Sequence, residues 1–91
     1  MFSKKLFGQR IKEMRKLNRE TQQALADILD MLQNNVSELE SGKKTTTAEK
    51  IAKICRHYRV SADYLLGLSD DPEGGTRRWT EDEESLHNEG E

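Results

Sequence analysis

The stretch from Thr21 to Lys43, TQQALADILDMLQNNVSELESGK, restricts the possible folds more than any other part of the chain. Its apolar or small residues fall at Leu25, Ala26, Ile28 and Leu29, stop at Asp30, and resume at Met31, Val36 and Leu39. Spacings of three and four place such residues on one face of a helix, and two short helices of that kind can close over a shared core. Ala26 carries only a methyl, which leaves room for a second helix to cross close above it. Asp30 is among the few residues besides glycine that tolerate the left-handed conformation of a sharp turn. Two helices joined in this way make a helix-turn-helix.

The flanking sequence supplies three more helical segments. Ser3 to about Asn18 places Phe7, Ile11, Met14 and Leu17 inward, with Lys4, Lys5, Arg10, Lys12, Arg15 and Lys16 on the remaining faces, mostly as solvated helix surface. Thr21 can cap the second helix through its hydroxyl. The third is expected from about Gln33 to Ser41, with Val36 and Leu39 inward. Gln33, Asn34, Ser37 and Glu38 then point outward or toward its N-terminal end. Leu32 offers no side-chain acceptor where a helix usually begins with one, a loss of about 1 kcal/mol. Gly42 can close the helix in a left-handed cap. Thr46-Thr47-Ala48-Glu49 reads as a capping box for a fourth helix that buries Ile51, Ile54, Cys55 and Tyr58. Ser61 caps a short fifth helix through Leu66, closed by Gly67. The apolar residues Tyr64, Leu65, Leu66 and Leu68 exceed what so small a core needs, which makes some of them a candidate dimer seam.

From Phe7 to Gly67 this succession resembles the Cro and phage-repressor type of helix-turn-helix regulators, which includes the xenobiotic-response-element-like proteins. The resemblance rests on Thr21-Gln22 opening the second helix, Leu25-Ala26 within it and Val36-Ser37. It continues through Glu40-x-Gly42-Lys43, Ile51 and Ile54, and Val60-Ser61-x-Asp63-Tyr64-Leu65-Leu66-Gly67. It implies an all-α, five-helix, lambda-repressor-like DNA-binding domain over residues 1–68. It also implies that Gln22 meets a backbone phosphate, that Gln33, Asn34 and Asn35 read bases, and that Lys43 and Lys44 begin a loop lying along the sugar-phosphate backbone. Ser37 and Glu38 complete the implied DNA-facing set. Glu38 either opposes a phosphate or accepts from a cytosine amino group. The resemblance further implies a partly buried ion pair between Arg15 and Glu40. A solvated polar face remains the alternative reading for the glutamines and asparagines. The chain departs from the family at Arg19, where glycine is usual, and at Glu20, where an apolar residue is usual. Asn18 is expected to supply the left-handed cap in place of that glycine.

Composition narrows the functional classes. With 33% hydrophobic and 35% charged residues, nearly all apolar side chains are needed for one small core. No run reaches the 18 or so apolar residues of a membrane span, and no charged-then-apolar leader opens the chain, which points to a cytoplasmic protein without membrane contact. Cys55 has no partner for an intramolecular disulfide, and it with His57 and His87 makes too poor a ligand set for structural zinc. No metal, cofactor or catalytic constellation is implied, and an enzyme is the least favoured class.

Charge divides the chain. Residues 1–69 carry 13 Lys or Arg against 8 Asp or Glu, whereas residues 70–91 carry 2 against 9. A basic folded part before an acidic end suggests nucleic-acid contact by the first. Residues 69–91 read as a disordered acidic tail, with Thr80-x-x-Glu83 as the start of a possible transient helix to about residue 87. The expected function is a sequence-specific, double-stranded-DNA-binding transcriptional regulator, most simply a repressor acting as a homodimer. The alternative is a protein-interaction module, antitoxin-like or otherwise partner-binding, that keeps the fold with weakened DNA binding and uses the acidic tail or the Leu65–Leu68 surface for its partner.

Overall fold

A computed structural model of the chain describes residues 2–73. The tail helix expected beyond Thr80 lies outside that range, as does most of the acidic tail. Among the described residues there are five helices and no strand: α1 (Lys4–Leu17), α2 (Gln22–Leu29), α3 (Gln33–Glu40), α4 (Ala48–Tyr58) and α5 (Ala62–Leu65).

Local chemistry accounts for most helix ends. The hydroxyls of Ser3, Thr21, Thr47 and Ser61 accept from the backbone N–H groups of Leu6, Ala24, Lys50 and Tyr64, satisfying donors that each first turn leaves open. The α4 cap is thus Thr47, one residue later than a Thr46-to-Glu49 capping box requires. Asp30 closes α2 at φ 58° and ψ 51°, and Gly42 follows α3 at φ 83°. The left-handed residue after α1 is Arg19, at φ 57°, and not Asn18. Asn18 instead turns its side-chain amide back to donate to the Met14 carbonyl.

One core joins all five helices. Phe7, Ile11 and Met14 of α1 meet Leu25, Ala26 and Leu29 of α2, Val36 and Leu39 of α3, Ile54 of α4 and Leu65 of α5. Ile51, Cys55 and Tyr58 pack against its edge. Two expected inward positions face solvent instead: Leu17 is 81% exposed and Ile28 is 40% exposed. Each lies in the last turn of its helix on the side away from the core, beside neighbours that are buried, Met14 and Arg15 in α1 and Leu29 in α2. Leu65 is fully buried and so is spent in the core, which leaves Leu68 and half-buried Leu66 as the outward members of the candidate seam.

Arg10 corrects the reading of α1 as basic surface. It is buried, stacks over the Tyr64 ring at 4.1 Å, and donates to the carbonyls of Tyr64 and Ser69 and to the Asp70 carboxylate. Ser61 N–H donates to the Pro72 carbonyl at 2.8 Å. These contacts tie residues 69–72, whose composition reads as linker, onto α1 and α5. A guanidinium with five donors suits such a junction because carbonyls at the end of a chain segment otherwise lack partners.

The position of α3 depends on packing. Eight residues are too few to hold a stable helix alone in water. Val36 and Leu39 anchor it, each contributing roughly 1.5–3 kcal/mol on burial. Gly8 lets α1 approach so closely that a Cβ built there would lie 2.0 Å from the Leu39 carbonyl oxygen. A close crossing is expected above Ala26, which is fully buried, whereas the close backbone approach at Gly8 is not.

Candidate nucleic-acid interface

Helix α3 begins without a side-chain cap on its first turn. Leu32 occupies the N-cap position and is 68% exposed. Only the reciprocal half of a capping box exists, because Asn35 Oδ1 accepts from the Leu32 N–H at 3.3 Å. Asn35 is half-buried, and this bond occupies its carbonyl oxygen. The amides at the start of α3 therefore remain under-capped. Leu32→Ser should supply the missing acceptor and raise stability by about 1 kcal/mol, measured as an increased midpoint in urea with an unchanged slope.

Beneath that surface lies a buried ion pair. Arg15 Nε and Nη2 donate to the two carboxylate oxygens of Glu40 at 2.6 and 3.0 Å, with side-chain exposures of 10% and 3%. The fork geometry matches guanidinium to carboxylate, and hydrogen bonding to Glu40 raises the Arg15 pKa against the opposing effect of burial. The third donor of Arg15, Nη1, reaches the Glu20 carbonyl at 2.7 Å.

Glu40 extends this order to the surface. Its Oε1 also accepts from Gln22 Nε2 at 3.0 Å, and Gln22 Oε1 in turn accepts from Gln33 Nε2 at 2.6 Å. A carboxylate can only accept, so the Gln22 NH₂ must face Glu40 and its oxygen must face Gln33. Gln33 then spends one N–H on Gln22 and keeps one N–H donor and its carbonyl oxygen for an outside partner.

Around this pair the other candidate residues take different places. Asn34 and Lys43 are exposed, and Ser37 is half-buried. The Glu38 carboxylate is 3.4 Å from Lys44 Nζ, and the Glu38 carbonyl accepts from the backbone N–H groups of Lys43 and Lys44. The charge of Glu38 is therefore partly offset by its own loop. The structure brings Gln22 and Gln33 into contact, pairs Glu38 with Lys44, and bonds the Asn35 oxygen to the Leu32 N–H.

Three further contacts around the helix-turn-helix are not expected from the sequence. Lys50 Nζ donates to the Leu29 carbonyl at 2.6 Å, placing a cation at the C-terminal end of α2. The Glu20 carboxylate accepts from Tyr58 Oη at 2.6 Å and stands 2.6 Å from His57 Nε2. The signal for this cluster was a carboxylate where an apolar residue is usual, together with a His-Tyr pair near the end of α4. Cys55 is half-buried against the core, and burial pushes its thiol pKa up, which disfavours the thiolate.

A family model described as a helix-turn-helix domain matches residues 8–70. The chain belongs to the helix-turn-helix domain family. Two Bacillus subtilis proteins are similar to this helix-turn-helix chain. It is 32% identical over 73 residues to the uncharacterized HTH-type transcriptional regulator YobD, covering 80% of this chain and 65% of YobD. It is 37% identical over 63 residues to the HTH-type transcriptional regulator ImmR, covering 69% of this chain and 50% of ImmR. The chain thus spans between half and two thirds of these relatives. Among solved structures, the clp gene regulator ClgR of Corynebacterium glutamicum aligns with a TM-score of 0.64 at 22% identity, over 93% of this chain and 86% of that one. The restriction-modification controller protein C.AhdI of Aeromonas hydrophila aligns with a TM-score of 0.62 at 24% identity, over 68% of this chain and 94% of that one. These likenesses establish the fold. No described helix is long and apolar enough to cross a membrane.

Proposed function

We propose that this helix-turn-helix chain is a sequence-specific, double-stranded-DNA-binding transcriptional regulator that presents the N-terminal end of α3 to the major groove. The observation that carries this reading is the Gln33–Gln22–Glu40–Arg15 succession, which holds an outward glutamine on a buried ion pair. The donor and acceptor left on Gln33 match the N7 and N6–H₂ edge of adenine. Asn34 stands beside it with the same chemistry. In this reading Gln22 offers a phosphate only the one side-chain N–H that Glu40 does not take, Lys43 offers its ammonium, and Lys44 contributes where it is not engaged by Glu38. The names of the B. subtilis relatives support regulation of transcription as the outcome.

Repression by occupancy of a promoter is the simplest mode, with a homodimer formed through Leu68, which is 72% exposed, and neighbouring Leu66. The regulator acts in the cytoplasm and needs no catalytic step, cofactor or metal. A second reading, a protein-interaction module using the acidic tail, is favoured by one observation. Helix α3 carries no Lys or Arg, so affinity for DNA depends on its flanks.

A band-shift experiment with the DNA upstream of the protein's own gene, across a salt series, separates these readings. Sequence-specific binding with a steep salt slope is expected, and absence of specific binding at low salt would overturn the DNA reading. Within it, Gln33→Ala or Asn34→Ala should cost about 1–3 kcal/mol at the selected site and relax preference at one base pair. Lys43→Ala should weaken all sequences similarly and reduce the salt slope by about 1. A uniform loss from the glutamine or asparagine variant would remove that residue from base readout.

A further inference from the structure

The turn between α1 and α2 contains two unusual residues in succession. Arg19 adopts a left-handed conformation at φ 57°, which a residue with a side chain enters less readily than glycine. Glu20, the next residue, places its carboxylate against Tyr58 and His57 of α4, with a side-chain exposure of 17%. Burial and the hydrogen bond to Glu20 both push the Tyr58 phenol up, so it remains a donor. A bent, strained turn is therefore fastened to the end of α4 by its own side chain.

The same residue carries the carbonyl that receives Arg15 Nη1. Glu20 thus belongs to an unbroken succession: Tyr58 and His57, the Glu20 side chain and backbone, Arg15, Glu40, Gln22, and Gln33. We propose that Glu20, fixed by Tyr58 and His57, is a positioning residue that sets the orientation of Gln33 on the recognition face. This rests on the DNA-binding reading for its consequence, though the coupling itself exists in the free protein.

The mechanism is a loss of alternatives. Gln33 has rotatable bonds and an amide that can turn by half a rotation; its partner Gln22 defines which edge faces outward. Gln22 is defined in turn by Glu40, and Glu40 by an Arg15 guanidinium whose third nitrogen, Nη1, donates to the Glu20 carbonyl. With the Glu20 side chain unfastened, the turn bearing that carbonyl can move, and Arg15 loses a fixed acceptor. An apolar residue at position 20 could pack against Tyr58 but could not hold its hydroxyl. The fastening is therefore polar and depends on direction, as hydrogen bonds do.

The test uses the full chain in three variants, Glu20→Leu, Glu20→Gln and Tyr58→Phe, with NMR of side-chain amides in the absence of DNA. The Gln33 amide, thirteen positions from the substitution and on another helix, is the reporter. The Gln23 amide, which donates to Asp27 at 2.9 Å on the same helix as Gln22 but outside the succession, is the control. In folded Glu20→Leu the Gln33 amide should shift and broaden while that of Gln23 stays in place. Glu20→Gln keeps an acceptor for Tyr58 and should return the Gln33 signal close to its original position. Where Glu20→Leu fails to fold, Tyr58→Phe supplies the same readout. An unmoved Gln33 amide in a folded variant, or equal movement of Gln23, would reduce Glu20 to a structural contact and overturn the proposal.

DNA then reports the consequence. On a duplex selected by the wild-type chain from a random pool, Glu20→Leu should lower the preference for adenine at the Gln33 position about fivefold or more, with non-specific binding retained. If the wild-type chain selects no duplex, the DNA-binding reading falls, whereas the amide measurements still decide the coupling.

Discussion

Replacing Gly8 with alanine is expected to destabilise this domain more than any other single methyl added to it. The new Cβ would lie 2.0 Å from the Leu39 carbonyl oxygen and 2.9 Å from Glu40 backbone atoms. None of these belongs to a flexible side chain that could swing aside, so α1 and α3 must separate. Overpacking usually costs about 1–3 kcal/mol, and a backbone collision belongs at or above the upper end of that range. Alanine's higher helix propensity returns only about 1 kcal/mol. Separation at this crossing would also disturb Phe7, Ile11, Val36 and Leu39 together, since all four are buried in the same core. A urea titration should show a large fall in midpoint for Gly8→Ala. An unchanged midpoint would mean that the helices do not cross as closely as described. Exposed Ser41 on the neighbouring turn is a suitable control, because Ser41→Ala adds nothing to the crossing.

That crossing was not legible in the sequence, and the reason generalises to other parts of the molecule. Asp30, Gly42, Thr21 and Ser61 were readable because each serves a need created by its immediate neighbours: a left-handed turn or an open first-turn amide. The core face of α4 was readable from spacing alone. Gly8, Arg10 and Glu20 have partners far away along the chain. Arg10 contacts Tyr64, Ser69 and Asp70, so in isolation it has the appearance of any basic residue on an amphipathic helix. Leu17 shows the opposite failure. Its spacing from Met14 fits the inward face, but the core ends at Met14 and Arg15, which leaves Leu17 exposed. At the interface, residue types indicated which side chains could meet bases, while the turning of Asn35 to the Leu32 N–H and the pairing of Glu38 with Lys44 required the fold. The Asn18 reading failed for a related reason: its amide found a better local partner in the Met14 carbonyl, and the left-handed position passed to Arg19.

The second large effect is expected at the Arg15–Glu40 pair. Both side chains are nearly excluded from water, with contacts of 2.6 and 3.0 Å between them. For an exposed pair the expected contribution would be only about 0–1 kcal/mol. Burial changes the outcome of breaking the pair, because removing one member leaves the other charge without its partner in a poorly solvated place. Glu40→Ala should therefore cost about 3–5 kcal/mol, and it also strips Gln22 of its acceptor. Arg15→Ala should cost a similar amount by leaving Glu40 with only the Gln22 amide. Replacing both by similarly sized apolar residues is a different experiment. It removes the desolvation penalty along with the attraction, so Arg15→Met with Glu40→Leu should recover much of the lost stability. The recovered domain would nevertheless lack the carboxylate that orients Gln22 and, through it, Gln33. Stability and base preference should then separate: near-normal unfolding in urea, but weakened discrimination at the Gln33 position. A double-mutant cycle measured by urea unfolding gives the coupling between the two residues. Strong coupling is the expected result, and zero coupling would remove the pair both from the stability of the fold and from the support of its recognition face.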